Sequence, residues 1–184
     1  LMNCDDEDNG FGKCVEGYLS FSQPDRWIVS KLQQTLTNIE KAYSEYRFDL
    51  VAQELYQFIW DEYCDWYLEF AKVQIQQGND SEKRATRRTL LSTLESILRM
   101  THPVMPFITE EIWQIIIPLI KKDNESITLE SFPISREEKI DENSIEWVNT
   151  LKKLIDNVRS LRGEMNLSPA NKIPLALTGN EKEL

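Results

Sequence analysis

Histidine and cysteine, the residues most often used to move protons or form covalent bonds near neutral pH, are scarce in this 184-residue chain, and spacing denies them and the paired carboxylates a partner. His102 is the single histidine, and it precedes Pro103. A role in capping the last carbonyls of a helix suits that place better than proton transfer. Cys4, Cys14 and Cys64 are odd in number and irregularly spaced. They read as reduced structural thiols, not as a disulfide framework or a zinc site. Glu110-Glu111 and Glu137-Glu138 are sequence neighbours, which diverge by about 100° on a helix and so do not share a proton. Gly10 and Gly12 lack the following Lys-Ser or Lys-Thr of a phosphate-cradling loop. The expectation is a chain with no catalytic residue, no metal and no cofactor of its own.

Groups that could bind are better placed. Trp27, Lys31, Gln34 and Asn38 recur at helical spacing about 130° away from the apolar centre of their segment. An aromatic face beside a cation and two amides suits unpaired nucleobases, where stacking is worth roughly 1–3 kcal/mol per base. Packing of Trp27 against another helix or domain is the alternative. Lys83, Arg84, Arg87 and Arg88 crowd the start of a predicted helix, where the macrodipole disfavours cations. Either Asp80 and Glu82 compensate locally or an outside anion does. Lys152, Arg159, Arg162 and Asn166 line one shoulder of the last predicted helix as a phosphate track. Glu62 falls on an apolar arc between Ile59 and Trp66, where a carboxylate needs an ion-pair partner.

The elements that must hold these groups follow from periodicity. Ile28, Leu32, Leu36, Ile39, Tyr43 and Tyr46 mark an amphipathic helix over residues 25–46. A longer helix runs over 48–75. One arc of it carries Phe48, Val51, Leu55, Ile59, Trp66 and Val73, and an adjoining arc carries Tyr56, Trp60, Tyr63 and Tyr67. An arc that wide needs two neighbours, which makes this the central helix. Gly78-Asn79-Asp80-Ser81 is a stop followed by a cap, and Leu90, Leu91, Leu94, Ile97 and Leu98 carry a third helix to Thr101. Pro106 opens a fourth, which Pro118 should disturb. Residues 122–141 form a polar connection with an extended stretch at 127–129, and a fifth helix runs from Trp147 to Met165. Ile173 to Thr178 reads as one short strand. The fold class is therefore all-α, a bundle of about five helices with a short C-terminal strand.

Composition sets the limits. The chain is 41% apolar, which excludes wholesale disorder, and its net charge of −10 means that any polyanion must choose its face. Residues 1–25 hold six acidic groups against one basic, and 151–184 hold four against six. No run is long and apolar enough to span a bilayer and no signal-peptide pattern opens the chain, which places it in the cytoplasm with no membrane partner. Residues 1–24 read as an irregular acidic linker arm, 25–167 as the helical domain and 168–184 as the start of a further extension.

Several motifs resemble a known family. Asp25-Arg26-Trp27-Ile28, Tyr46-Arg47-Phe48-Asp49 and the run from Trp60 to Glu69 are similar to the anticodon-binding helical domain of valyl-tRNA synthetases. So are the run from His102 to Trp113 and the run from Arg162 to Pro169, and the likeness holds in order over residues 20–178. The Asp-Arg-Trp opening is shared with isoleucyl relatives; the runs Cys64 to Glu69 and Met105 to Glu111 are the valyl-specific part. The resemblance implies an excised, non-catalytic domain of a bacterial-type ligase. Its partner would be the anticodon stem-loop of tRNA(Val), and the missing catalytic, editing and coiled-coil domains would be its neighbours. ATP and Mg²⁺ would serve the whole enzyme only, and a monomer is expected. Candidate RNA contacts are Arg26, Trp27, Lys31, Gln34, Asn38, Arg84, Arg87, Arg88, Arg159, Arg162 and Asn166. The alternatives are the anticodon domain of an isoleucyl-tRNA synthetase and a role that is mainly a structural brace within the synthetase.

Overall fold

The computed structural model describes residues 9–11, 17–122, 124–168, 171 and 173–176. It forms two compact units, Leu1–Val148 and Asn149–Leu184. Among the described residues all regular structure is helical.

In the first unit, α1 (Gln23–Ser44) opens on a reciprocal cap. The Asp25 N–H donates to Ser22 Oγ at 3.2 Å and the Ser22 N–H donates to Asp25 Oδ2 at 3.0 Å, which satisfies two end groups at once. Tyr46 lies beyond the helix and is exposed, so the expected apolar row ends at Tyr43.

The central rod is α2 (Phe48–Tyr56), a π-helical stretch (Gln57–Tyr67) and α3 (Leu68–Gln77). Its buried side chains are Val51, Leu55, Phe58, Tyr63, Tyr67 and Ala71. Steps of three and four are broken once, by five residues between Phe58 and Tyr63, as i→i+5 bonding requires. The arcs drawn at 100° per residue are corrected accordingly. Phe58 is core, while Phe48, Tyr56, Trp60 and Val73 are exposed.

Asn79 caps α4 (Asp80–Thr101), with the Glu82 carboxylate accepting from the Asn79 N–H at 2.8 Å. α5 (Pro106–Ile120) contains Pro118 and does not stop there, because a missing N–H in the last turn costs a single hydrogen bond. The backbone of His102 closes α4, but its ring meets the hydroxyls of Thr109 (Nδ1, 2.7 Å) and Thr128 (Nε2, 3.3 Å) instead of helix carbonyls. Ile127–Leu129 is a 3₁₀ turn with Ile127 buried, not an extended stretch.

α1 packs on α2 and the π stretch, α3 packs on α4, and α4 packs on α5. Two polar clusters are built into these contacts. Asp25 accepts from the Tyr67 hydroxyl at 2.7 Å in the core, and burial pushes both groups' pKa values up. Glu95, with a side chain 8% exposed, pairs with Arg99 at 2.7 Å and Lys122 at 2.8 Å, tying α4 to the segment after α5.

The expected linker arm is only partly within the described residues, and what is described packs against the bundle. Asn9 and Gly10 are buried. Gly10 takes φ +80°, and a Cβ there would stand 2.5 Å from the Arg84 carbonyl, so glycine alone permits this approach. Cys4 and Cys14 lie outside the described residues.

α6 (Glu142–Glu164) starts in the first unit, where Asp141 caps it by accepting from the Ser144 N–H at 3.2 Å. In the second unit the helix continues to Glu164 and closes on Asn166 at φ +51°. The strand expected at 173–178 runs beyond the described residues 173–176.

Candidate nucleic-acid interface

The turn at residues 45–47 folds the rod back along α1, and the two elements leave a groove of about 220 Å³ between them. α1 contributes Lys31, Gln34, Thr35 and Asn38 at a spacing of three and four, and the rod contributes Glu54, Gln57, Phe58 and Glu62. Phe58 is buried and forms an apolar floor. The walls are amides and carboxylates. Lys31 Nζ lies 3.9 Å from Glu62 Oε1, which supplies the partner that Glu62 was expected to need. Asn38 Nδ2 donates to Glu54 Oε2 at 3.2 Å, fixing which way that amide faces. A second concavity of about 460 Å³ lies across the ridge of Gln34 and Asn38, lined also by Thr37, Glu137, Ile140 and Glu142.

One cation against two carboxylates gives the groove no net attraction for phosphate. Its donors and acceptors suit the edges of bases, which present amino groups and ring nitrogens in a plane.

Three of the residues selected from sequence, Lys31, Gln34 and Asn38, thus meet in one place. Trp27 does not join them and is corrected: its ring is 0% exposed and packs edge-on against Phe70 at 6.2 Å. The helical wheel placed it off the apolar centre, but α3 and its Phe70 cover that side of α1 as well. Arg26 is exposed on the first turn and lies 3.8 Å from Asp141.

Arg84 and Arg88 are engaged by the arm. Arg84 donates to the Tyr18 carbonyl at 3.1 Å and lies over the Tyr18 ring at 4.6 Å. Arg88 donates to the Gly10 carbonyl at 2.9 Å and lies over Phe11 at 5.2 Å. These acceptors, together with the Glu82 cap, answer the question of what offsets the cations at the start of α4. Arg87 is half-buried on the same turns.

In the second unit Arg159 is exposed, 3.6 Å from Asp156. Arg162 closes the chain on itself, donating to the carbonyls of Ser168 at 2.7 Å and Asn171 at 2.9 Å. Asn166 occupies the left-handed closing position of α6, which its short polar side chain tolerates.

Thr35, Glu54, Gln57 and Phe58 were not found from sequence. Glu54 stands three and four residues from Val51 and Phe58, but a wheel of constant pitch gives no sign that the rod widens just below it.

The family described as the anticodon-binding domain of tRNA ligase matches residues 25–177. Valine–tRNA ligase of Dechloromonas aromatica is 53% identical over 167 residues, covering 90% of this chain and 18% of that protein. The enzyme of Coxiella burnetii is 48% identical over 174 residues, with 90% and 18% covered. That of Legionella pneumophila is 44% identical over 186 residues, with 100% and 20% covered. The chain spans about a fifth of the length of the curated relatives it matches. The match covers every helix from α1 to α6 except the first two residues of α1, and on it the chain belongs to the family of anticodon-binding domains of tRNA ligases.

Proposed function

We propose that this domain reads the anticodon stem-loop of a valine tRNA through the groove between α1 and the central rod, so that a longer valine–tRNA ligase can select its substrate. The observation that carries the reading is the convergence of Lys31, Gln34 and Asn38 with Glu54 and Gln57 over the Phe58 floor. The Asn38 amide, held by Glu54, presents a fixed pattern that discriminates base edges, and the Gln34 and Gln57 amides add further donors and acceptors beside it. In this reading ATP, Mg²⁺ and the catalytic, editing and coiled-coil parts belong to the longer protein, which works in the cytoplasm, and the domain is a monomer.

A titration by fluorescence anisotropy tests it, using an anticodon stem-loop of tRNA(Val) and one with the middle anticodon base replaced, at low and moderate salt. Cognate binding should be weak yet tighter than binding of the altered loop, with a shallow salt slope, because few phosphates are neutralised. Gln34→Ala or Asn38→Ala should weaken cognate binding about fivefold, the equivalent of one hydrogen bond of about 1 kcal/mol. Equal binding of both loops would remove base readout from the groove.

A second reading, a brace within the ligase, is favoured by one observation. Val104, Met105, Phe107 and Ile108 stand together at the α4–α5 turn, each at least half exposed and Phe107 89% exposed. Strong binding of a hydrophobic dye, with no RNA binding at low salt, would support the brace alone.

A further inference from the structure

We propose that Tyr46, at the tip where α1 turns into α2, is a base-contacting residue whose phenol stacks on an unpaired nucleobase of the RNA held in the groove; this rests on the groove reading above. The helix end itself supplies the argument. The Arg47 N–H donates to the Ala42 carbonyl at 2.9 Å and the Tyr46 N–H donates to the Tyr43 carbonyl at 3.1 Å, the paired closure of a Schellman motif. This closure holds Tyr46 at φ +56°. There the Cβ crowds the following carbonyl, and glycine is the usual occupant, with asparagine next. α5 and α6 close in the same way on Lys121 and Asn166, at φ +55° and +51°. A bulky aromatic in this conformation is an outlier.

The fold receives nothing in return. Tyr46 is 80% exposed, and among the described residues its side chain makes no hydrogen bond and no ring contact. Strain held where the fold gains no burial marks a site kept for another purpose. The surroundings indicate which purpose. Phe48, two residues on, is 62% exposed, and the Arg47 guanidinium between them is held by both Asp49 oxygens, at 2.9 and 2.7 Å. Asp49 offsets that charge, so the tip offers flat π faces without a surplus cation. That suits a neutral aromatic ring better than a phosphate. α1 runs about 9 Å beyond Asn38 to Ser44 before Tyr46 closes it, the span of about three stacked nucleotides at roughly 3.4 Å each.

The test uses the 184-residue chain, a labelled anticodon stem-loop of tRNA(Val), and a fully paired hairpin of equal length as the probe of charge alone. Tyr46→Gly should raise Tm by about 2–4 °C and weaken stem-loop binding at least about fivefold, leaving hairpin binding unchanged. Tyr46→Phe should keep the wild-type affinity. Stem-loop binding unchanged in Tyr46→Gly, with wild-type binding intact, overturns this proposal and leaves the groove reading standing. A fall in Tm for Tyr46→Gly also overturns it, since the ring would then support the fold. Absence of wild-type binding at low salt overturns both.

Discussion

Removing the Trp27 side chain should damage the fold and spare recognition. The indole is 0% exposed and lies edge-on to Phe70, at 6.2 Å and 80°. A buried tryptophan removes roughly 150–250 Å² from water, which at about 25 cal/mol per Å² corresponds to about 4–6 kcal/mol. The range observed for Trp→Ala in cores is about 3–5 kcal/mol. Taking about 4 kcal/mol, a chain of this size should lose about 8–16 °C in Tm. Trp27→Phe keeps most of the contact and should lose less. Thermal melts followed by fluorescence, with anisotropy titrations of tRNA(Val) stem-loop well below each variant's Tm, separate the two effects. Per folded molecule, Trp27→Phe should bind as the wild type does. A fivefold loss of affinity in Trp27→Phe with an undiminished Tm would refute the reasoning, because a ring sealed in the core cannot be the one a base rests on.

Three further outcomes follow from the polar clusters. Glu95→Ala leaves Arg99, only 18% exposed, without its carboxylate; it should cost about 3 kcal/mol, read as a lower urea midpoint at constant slope. Lys122→Met, at a side chain 36% exposed, should cost no more than about 1 kcal/mol. Burial raises the pKa of Asp25 above its ordinary 3.8, so the folded state holds that proton more tightly than the unfolded chain does. Between 3.8 and the raised folded value the native state carries the extra proton, and the Asp25 contribution to stability falls as pH rises through that window. Subtracting the urea stability of Asp25→Asn from that of the wild type across this range should give a difference that declines with pH; a flat difference would contradict it.

The helical architecture was legible because its signals are local. The helix expected from residue 25, the cap at Asn79 and the opening at Pro106 fall within two residues of the starts of α1, α4 and α5. Lys31 and Glu62 were each singled out for separate reasons and meet across the groove. One cause of the failures is the information carried by distant segments. Nothing within a few residues of Trp27 announces Phe70, and nothing near Arg88 announces the carbonyl of Gly10, 78 positions away. Pitch was the other hidden variable. A wheel drawn at 100° per residue cannot represent the π stretch, so it sent Tyr56 and Trp60 inward and left Phe58 out.

The same stretch bears on which changes of length this domain can absorb. Five residues separate Phe58 from Tyr63 in the buried ladder, where an ordinary turn would use four. That spacing is how a helix accommodates one surplus residue while keeping the layers above and below it in phase. Deleting one exposed residue of the wide turn, Asp61 for instance, would leave an α-helical ladder with Tyr63, Tyr67 and Ala71 still facing the core. The deletion would turn the groove wall at Glu62 relative to Glu54 and Gln57. Chains of this family that differ by one residue here would share a core and differ in what their groove presents.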